Sequence, residues 1–254
     1  MTKVYFIGAG PGDPELVTVK GRRLIQEADL VLYAGSLVPR ELVGCAREDA
    51  RVEDSAPLSL EETHGLIMET VQGGGTVARV HTGDPGLYGA VREQAELLDA
   101  EGVSWAIVPG VTSASAGMAA AGRSFTIPGG TQTLIISRLE GRTPVPEREH
   151  LSRLARHGSA MAVYLSAGDP EGVQAAIQEG GCPDETLAVI AYRVGWPEES
   201  IVETRLADLA RTARENGFTR QTLFLILPGQ DSREARSLLY DEDFRHMFRD
   251  AKAT

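Results

Sequence analysis

The chain has 254 residues, of which 42% are hydrophobic and 24% are charged, as in ordinary globular proteins. This length suffices for one large domain or two smaller ones, each with its own core. The net charge of −11 argues against a general nucleic-acid-binding surface, because contact with phosphates requires clustered lysine and arginine. An anionic substrate is not excluded, because a local basic patch can lie on an acidic protein.

Cysteine usage and the amino terminus bear on compartment and cofactors. Cys45 and Cys182 are far apart in the sequence and form neither a metal-binding nor a redox motif, as is typical of proteins in a reducing cytoplasm. The first eight residues predict a strand and lack the long apolar core of a signal peptide. No segment approaches the roughly 18 apolar residues that span a bilayer. We therefore expect a cytoplasmic protein with no membrane partner.

Strand-like and helix-like segments alternate through the first half of the chain, which predicts a mostly parallel sheet with helices on both faces. Ser59 and Glu62 have the spacing of a capping box at a helix start. A helix of very small residues, 112–121, follows the last strand of this half. The predicted strands are 3–8, 29–34, 76–81 and 104–108, and the other predicted helices are 15–28, 59–71 and 88–101.

The second half departs from strict alternation and predicts a mixed sheet with helices. Residues 195–197, Gly-Trp-Pro, form the turn of a predicted hairpin. Glycine and proline cluster between residues 122 and 130, which indicates a boundary between two α/β domains, 1–124 and 125–254. Residues 142–147 predict an exposed or lid-like loop. The predicted strands are 132–137, 160–165, 187–192, 201–204 and 222–227.

The junction between strand 76–81 and helix 88–101 carries the sequence TGDPG at residues 82–86. Its glycines and proline leave backbone groups exposed around one carboxylate, Asp84. Open α/β sheets bind ligands at such junctions, where the strands end. The motif therefore predicts a ligand site, although Gly-Asp-Pro-Gly alone is equally consistent with an ordinary turn.

The first loop, GAGPGDP at residues 8–14, resembles a dinucleotide-binding fingerprint. In such a site the phosphates rest on backbone amides at a helix amino terminus. Here Pro11 removes an amide, and Asp13 places a negative charge where a phosphate would lie. An acidic residue about 20 positions later, which would bind a ribose, is also missing. The loop therefore favours a ligand without phosphate, or one bound from elsewhere.

Four motifs in the same order resemble the tetrapyrrole methylases of cobalamin and sirohaem synthesis: GAGPGDP at 8–14, YAGSLV at 33–38, TGDPGLY at 82–88 and PGVTS at 109–113. Within that family, YAGSLV and RLEGRTPVPE at 138–147 are most similar to the enzymes that methylate carbon 11 of precorrin-4 or cobalt-precorrin-4. The resemblance covers nearly the whole chain. It implies S-adenosylmethionine as methyl donor, a homodimer, and a two-domain fold with the donor in the cleft between a tetrapyrrole-side first domain and an adenosine-side second domain.

The resemblance also implies donor-binding positions. Asp84 is expected to hold the ammonium group or a ribose hydroxyl of the donor, and Thr112 and Ser113, at a helix start, its carboxylate. Leu165 and Ala191 would form apolar walls for the adenine. Structural roles stay open, because Thr112 also suits an N-cap and Leu165 a core. The full set is Pro11, Thr82, Gly83, Asp84, Leu87, Thr112, Ser113, Leu165, Ala191 and Thr222.

The implied reaction is in-line transfer of a sulfonium methyl group to a carbon nucleophile of the macrocycle, and its leaving group needs no protonation. Holding the two reactants in near-attack geometry contributes roughly 7–11 kcal/mol, so we expect neither a protein-bound metal nor a nucleophilic triad. The five histidines are scattered without ligand spacing.

Further candidates for catalysis and substrate binding come from positions near these motifs. His81 ends a strand beside the second loop, where it could face the macrocycle, assist proton removal or have a structural role. Asp13 is the stronger candidate for contact with the tetrapyrrole. Arg138 and Arg142 suit bidentate binding of its carboxylates, or are solvated surface arginines. Thr82 stands where some relatives have glycine, so its side chain need not contribute.

Three alternatives stay open. A related enzyme could methylate another ring position of a precorrin or of uroporphyrinogen. A nicotinamide-dependent oxidoreductase would require saturable dinucleotide binding. A regulatory module that senses S-adenosylmethionine would bind the donor without methylating a tetrapyrrole, since a fold does not guarantee activity.

Overall fold

The computed structural model describes residues 3–230 and, beyond them, Ser237, Phe244, Arg245 and Met247. The chain divides into two compact units. Unit 1 contains the residues up to Ala116 together with the segment Arg193–Pro197, and unit 2 contains Gly117–Tyr192 and the residues after Pro197. The two domains expected from the sequence, 1–124 and 125–254, stay a prediction, because the two units are defined by contacts within the folded chain.

Unit 1 contains a five-stranded sheet in which every pair of neighbouring strands is parallel, in the order β3-β2-β4-β1-β5. All carboxyl ends of its strands therefore lie along one edge. The strands are β1 Val4–Gly8, β2 Leu30–Tyr33, β3 Arg51–Asp54, β4 Val77–His81 and β5 Trp105–Val108, and the helices are α1 Val19–Glu27, α2 Arg40–Val43, α3 Leu60–Gln72 and α4 Val91–Ala100. The helix α5, Ser113–Ala120, begins in unit 1, and its residues from Gly117 onward are assigned to unit 2.

Helices cover both faces of this sheet, as the sequence predicts. On one face Ile7 and Val31 pack with Ile25 of α1 and Leu42 of α2. Alternate residues of the same strands, including Phe6 and Leu32, pack on the other face with Ile67 of α3 and Leu98 of α4. Burial on both faces explains why these strands read as nearly continuous apolar segments.

Two helix starts differ from the prediction. The segment predicted as one helix, 15–28, begins with a short 3-10 turn at Pro14–Leu16, and α1 starts only after Thr18, whose hydroxyl caps the amide of Gly21 at 3.0 Å. The helix predicted from residue 88 begins at Val91, because Tyr88 and Ala90 adopt left-handed backbone angles that a right-handed helix does not accommodate. The capping box of Ser59 and Glu62 is confirmed at the start of α3.

Unit 2 contains a five-stranded sheet that is mixed, as predicted, and its strands lie in the order β6-β7-β10-β8-β9. β6 and β7 are parallel, and the other neighbours are antiparallel. Side chains such as Val163, Ile190 and Phe224 form a core with Leu151, Ile177 and Leu209 of its helices. The strands are β6 Leu134–Arg138, β7 Ala160–Tyr164, β8 Leu187–Tyr192, β9 Ser200–Arg205 and β10 Thr222–Leu227, and the helices are α6 Leu151–Ala155, α7 Pro170–Glu179 and α8 Leu209–Glu215.

Among the described residues, no helix combines the length and apolarity needed to cross a membrane.

Candidate donor-binding site

The loops that follow β1, β4 and β5 meet at glycines on the carboxyl edge of the unit 1 sheet. Gly10 and Gly83 exchange backbone hydrogen bonds, with N–O distances of 2.7 and 3.3 Å. A Cβ atom on Gly8 would lie 2.5 Å from the Cα atom of Gly110, so side chains are excluded there. We call Gly8, Gly10, Gly83 and Gly110 the glycine crossing. Any ligand at this edge would meet backbone groups at close range.

Asp84 joins two of these loops. Its Oδ1 accepts a hydrogen bond from the amide of Gly86 at 2.7 Å, and its Oδ2 accepts one from the amide of Gly110 at 2.9 Å. Each carboxylate oxygen has two lone pairs, so these two bonds leave acceptor capacity for a ligand. The residue is therefore suited to a structural tie and to charge-assisted binding at the same time.

The loop between β4 and α4 is held in unusual backbone conformations. Gly83, Tyr88 and Ala90 have φ values of 63°, 57° and 49°. A left-handed conformation costs a residue other than glycine about 1–3 kcal/mol and persists only when its surroundings enforce it. One such restraint comes from Gln94 of α4, whose amide donates to the carbonyl of Ala90 at 2.8 Å.

A buried arginine anchors this restraint. Arg79 of β4 is 8% exposed and donates to Oε1 of Gln94 at 3.0 Å, to Oγ of Ser55 at 2.9 Å and to the carbonyl of Leu32 at 3.3 Å. All three acceptors are uncharged, and burial lowers the pKa of Arg79 to about 10. The sequence analysis missed this residue, although an arginine within a buried strand was an available signal.

His81 lies on the same face of β4, beside the ring of Phe6 at a centroid distance of 5.8 Å. It is 5% exposed, and its Nε2 has no hydrogen-bond partner among the described residues. Burial, reinforced by the positive charge of Arg79 and opposed by a hydrogen bond to the backbone of Gly89, lowers its pKa to about 3. A ring held neutral to this pH is a weak proton acceptor, which favours the structural alternative for His81.

In the first loop, Asp13 caps the 3-10 turn that follows, with its Oδ1 accepting from the amide of Glu15 at 2.8 Å. Its Oδ2 takes no part in this cap. Trp196, from the segment Arg193–Pro197 of unit 1, donates its indole N–H to the carbonyl of Pro11 at 3.0 Å. In the sequence this tryptophan was only part of a predicted hairpin turn. Its contact with the loop was missed, because the two residues are 185 positions apart.

The remaining candidates of unit 1 lie on the same loops. Thr82 is exposed, and Leu87 is half-buried, with its amide bonded to the carbonyl of Asp84 at 3.1 Å. Thr112 and Ser113 are half-buried, and Ser113 is the first residue of α5. The structure thus brings Pro11, Gly83, Asp84 and the start of α5 to one edge of the sheet.

The candidates of unit 2 gather at one end of its sheet. Leu165 directly follows β7, has a left-handed φ of 55° and is 72% exposed, an unusual combination for leucine. Thr222 starts β10 and pairs with Tyr192, while buried Ala191 pairs with Leu223 on the same two strands. Leu165 is therefore an exposed apolar side chain and not a core leucine.

The two candidate arginines differ in their surroundings. Arg138 ends β6 and donates to the carbonyls of Thr143 and Pro144 at 3.1 and 2.8 Å, so it orders the loop that the sequence predicts to be lid-like. Arg142, in that loop, is exposed. Their binding of substrate carboxylates stays a prediction. Within the described part of the chain, no three His, Cys, Asp or Glu residues are grouped as metal ligands would be.

Comparison with known proteins decides the family. Residues 3–210 match the family described as Tetrapyrrole (Corrin/Porphyrin) Methylases. The chain is a tetrapyrrole methylase. This confirms the resemblance inferred from the four ordered motifs.

Two relatives of this tetrapyrrole methylase are similar over nearly their full lengths. The cobalt-precorrin-4 C(11)-methyltransferase of Priestia megaterium is 47% identical over 251 residues, covering 97% of each chain. The precorrin-4 C(11)-methyltransferase of Pseudomonas aeruginosa is 41% identical over 249 residues, covering 97% of this chain and 98% of the relative.

Solved structures agree. The crystal structure of a cobalt-precorrin-4 methyltransferase superposes with a TM-score of 0.87 at 47% identity, covering 89% of the tetrapyrrole methylase described here and 94% of its own chain. A uroporphyrin-III C-methyltransferase from Thermus thermophilus, complexed with S-adenosylhomocysteine, gives 0.74 at 28% identity, with coverages of 89% and 97%. These similarities confirm the α/β fold class of both units.

Proposed function

We propose that this tetrapyrrole methylase transfers a methyl group from S-adenosylmethionine to carbon 11 of precorrin-4 or cobalt-precorrin-4, in cobalamin biosynthesis. The observation that carries the proposal is the 47% identity to a cobalt-precorrin-4 C(11)-methyltransferase across 97% of both chains. The 41% identity to a precorrin-4 enzyme supports the same ring position with either form of the acceptor. We infer that the protein is a homodimer, as the family resemblance implies, and that it acts in the cytoplasm, as its cysteine usage indicates.

The geometry of unit 1 suits the polar end of the donor. Asp84 keeps free lone pairs for an ammonium group or a ribose hydroxyl beside the backbone of the glycine crossing. Thr112 and Ser113, at the start of α5, offer hydroxyls and amides for a carboxylate. Gly83, Pro11, Thr82 and Leu87 would complete this part of the site through backbone and apolar contacts.

The geometry of unit 2 suits an aromatic base. Leu165 presents an apolar side chain that is 72% exposed, and Ala191 and Thr222 lie on adjacent strands at the same end of the sheet. We assign Leu165 as a wall for adenine, whereas the expected wall role of Ala191, which is 1% exposed, stays a prediction. Folded proteins retain strained backbone conformations mainly at functional sites. The left-handed backbone that holds Leu165 outward is consistent with such a site.

S-adenosylmethionine supplies an electrophilic methyl group on a sulfonium centre. The protein's part in the reaction is to bind and orient, since displacement of a thioether needs no acid and near-attack positioning contributes roughly 7–11 kcal/mol. Asp13, whose Oδ2 takes no part in the cap of Glu15, is our candidate for contacting the tetrapyrrole. Arg138 and Arg142 are candidates for its carboxylates.

The experiment that tests this function is turnover with a choice of acceptors. The purified protein is incubated with S-adenosylmethionine and either precorrin-4, cobalt-precorrin-4 or uroporphyrinogen III, and S-adenosylhomocysteine is quantified. We expect one equivalent per precorrin-4 or cobalt-precorrin-4 and none above background with uroporphyrinogen III. Turnover of uroporphyrinogen III alone would reassign the acceptor. Donor binding without any turnover would favour a regulatory module.

A further inference from the structure

The turn Arg193–Pro197 follows β8 in sequence but belongs to unit 1. Its central side chain is Trp196, whose amide bonds to the carbonyl of Arg193 at 2.9 Å and closes the turn. The guanidinium of Arg193 lies 5.7 Å from the centre of the indole ring, within the range of a cation–π contact. The indole is therefore fixed from within its own turn.

The same turn is fitted closely to the first loop. A Cβ atom on Gly12 would lie 2.5 Å from the indole nitrogen of Trp196 and 2.8 Å from the carbonyl oxygen of Val194. Reciprocally, a Cβ atom on Gly195 would lie 2.6 Å from the amide nitrogen of Asp13, and the φ of Gly195 is 80°. The loop therefore requires a glycine at position 12, and the turn requires one at position 195. The indole bond to Pro11 adds to this close contact.

The opposite side of the loop is also fixed. Gly10 is bonded to Gly83, and the amide of Ala9 donates to the carbonyl of His81 at 2.8 Å. The stretch from Pro11 to Asp13 has no such bond to β4. On its other side this stretch contacts the turn Arg193–Pro197, through the Trp196 bond and the close approach of Gly195.

We propose that Trp196 is a positioning residue that sets the conformation of residues 11–13, and thereby the donor contact at Pro11 and the carboxylate of Asp13. The inference rests on the proposed function, because it assigns these two residues to donor and tetrapyrrole. The indole meets two requirements at once: its N–H satisfies the Pro11 carbonyl, and its flat ring leaves room only for glycine at position 12.

The test compares Trp196→Phe with Trp105→Phe. Trp105 also donates its indole N–H to an acceptor, Asp99 Oδ1 at 2.8 Å, and it lies on the edge strand β5. Both substitutions therefore remove one indole hydrogen bond, but only one of these bonds reaches the first loop. For each variant we would measure the dissociation constant of S-adenosylhomocysteine by calorimetry, kcat and KM for both substrates, the melting temperature, and amide hydrogen exchange at Gly12 and Asp13.

A net hydrogen bond of about 1 kcal/mol corresponds to roughly a fivefold change in an equilibrium constant. We expect Trp196→Phe to weaken the binding of S-adenosylhomocysteine about fivefold and to raise KM for the donor. It should also speed amide hydrogen exchange at Gly12 and Asp13. Trp105→Phe should leave all three unchanged. The two melting temperatures should agree to within about 4 °C, the shift that 1 kcal/mol causes at this size, so that a general loss of stability is separated from loop positioning.

Trp196→Gly removes the ring as well and should increase each effect. Unchanged exchange at Gly12 and Asp13, or faster exchange with unchanged donor affinity, would overturn the inference. Equal weakening by Trp105→Phe would also overturn it, since the effect would then be unspecific. If the wild-type protein binds S-adenosylhomocysteine but methylates no precorrin, the proposed function fails while the affinity and exchange comparison still decides the role of Trp196.

Discussion

The carboxylate of Asp84 accepts a hydrogen bond from the amide of Gly110 at 2.9 Å and so links the loop after β4 to the loop after β5. Because its other oxygen caps Gly86 at 2.7 Å, the side chain sets the shape of the site as well as its charge. A substitution here should therefore disturb both ligand binding and the loop itself.

Asp84→Ala should weaken S-adenosylhomocysteine binding by well over tenfold while the fold stays intact, because the variant loses a charged ligand group and two backbone caps. Calorimetry measures the affinity, and circular dichroism checks the fold. Asp99→Ala, which removes a carboxylate bonded to Trp105, is the matched control and should bind normally. Unchanged affinity of Asp84→Ala would show that the donor lies elsewhere.

Leu165 provides a prediction in which stability and binding change in opposite directions. Leu165→Gly removes the strain of a leucine with left-handed backbone angles and should raise the free energy of unfolding by about 1 kcal/mol. It should nevertheless weaken the binding of S-adenosylhomocysteine about tenfold, because an apolar wall is lost. Leu165→Ala keeps the strain and should show only the weaker binding. Urea unfolding and calorimetry measure the two quantities. Normal binding by Leu165→Gly would remove this residue from the site.

Arg79→Ala should lower the free energy of unfolding by about 2–4 kcal/mol, because it leaves a cavity and unpaired acceptors on Gln94 and Ser55. Arg92→Ala, on α4 close to Gln94, removes an exposed pair with Glu96 and should change stability far less. Denaturant titration of both variants makes the comparison. Equal stabilities would mean that Arg79 is dispensable for the fold.

His81 predicts a pH dependence of stability. The folded protein keeps the ring neutral down to about pH 3, whereas an ordinary histidine has a pKa of 6.5. The unfolded chain therefore binds the extra proton between these values, and stability falls as the pH drops below 6.5. At pH 5 this contribution of His81 lowers the free energy of unfolding by about 2 kcal/mol.

His81→Gln should remove that contribution, so the loss of unfolding free energy between pH 7 and pH 5 becomes smaller by about 2 kcal/mol. The same substitution at exposed His157 is the matched control for the change of side chain itself. Parallel slopes for His81→Gln and the wild type would show that the ring is protonated without cost in the folded state.

Much of the fold was predictable from local pattern. All strands except β3 were found to within a few residues, since burial imposes apolar runs such as residues 222–227. The helices of unit 2 were not located by residue, and two short elements of unit 1 were missed. β3 is a polar edge strand, Arg51–Asp54, and α2 has four residues, too few to show a helical period.

The candidate site divides in the same way. Motif residues such as Asp84 and Thr112 could be proposed from the sequence because turn chemistry and the family pattern are local in sequence. The restraints on the site were not found, because they join distant segments: Arg79 reaches Gln94 and Ser55, and Trp196 reaches Pro11. Only the folded chain brings such groups together, and the left-handed turn at Tyr88 and Ala90 also depends on it.

Methylation at carbon 11 is tested by locating the new methyl group in the product. The protein is incubated with S-adenosylmethionine carrying a ¹³C-labelled methyl group and with precorrin-4 or cobalt-precorrin-4, and the product is examined by NMR. We predict one labelled methyl group, bonded to carbon 11. A labelled methyl group on any other ring carbon, or an unlabelled macrocycle, would contradict the assignment.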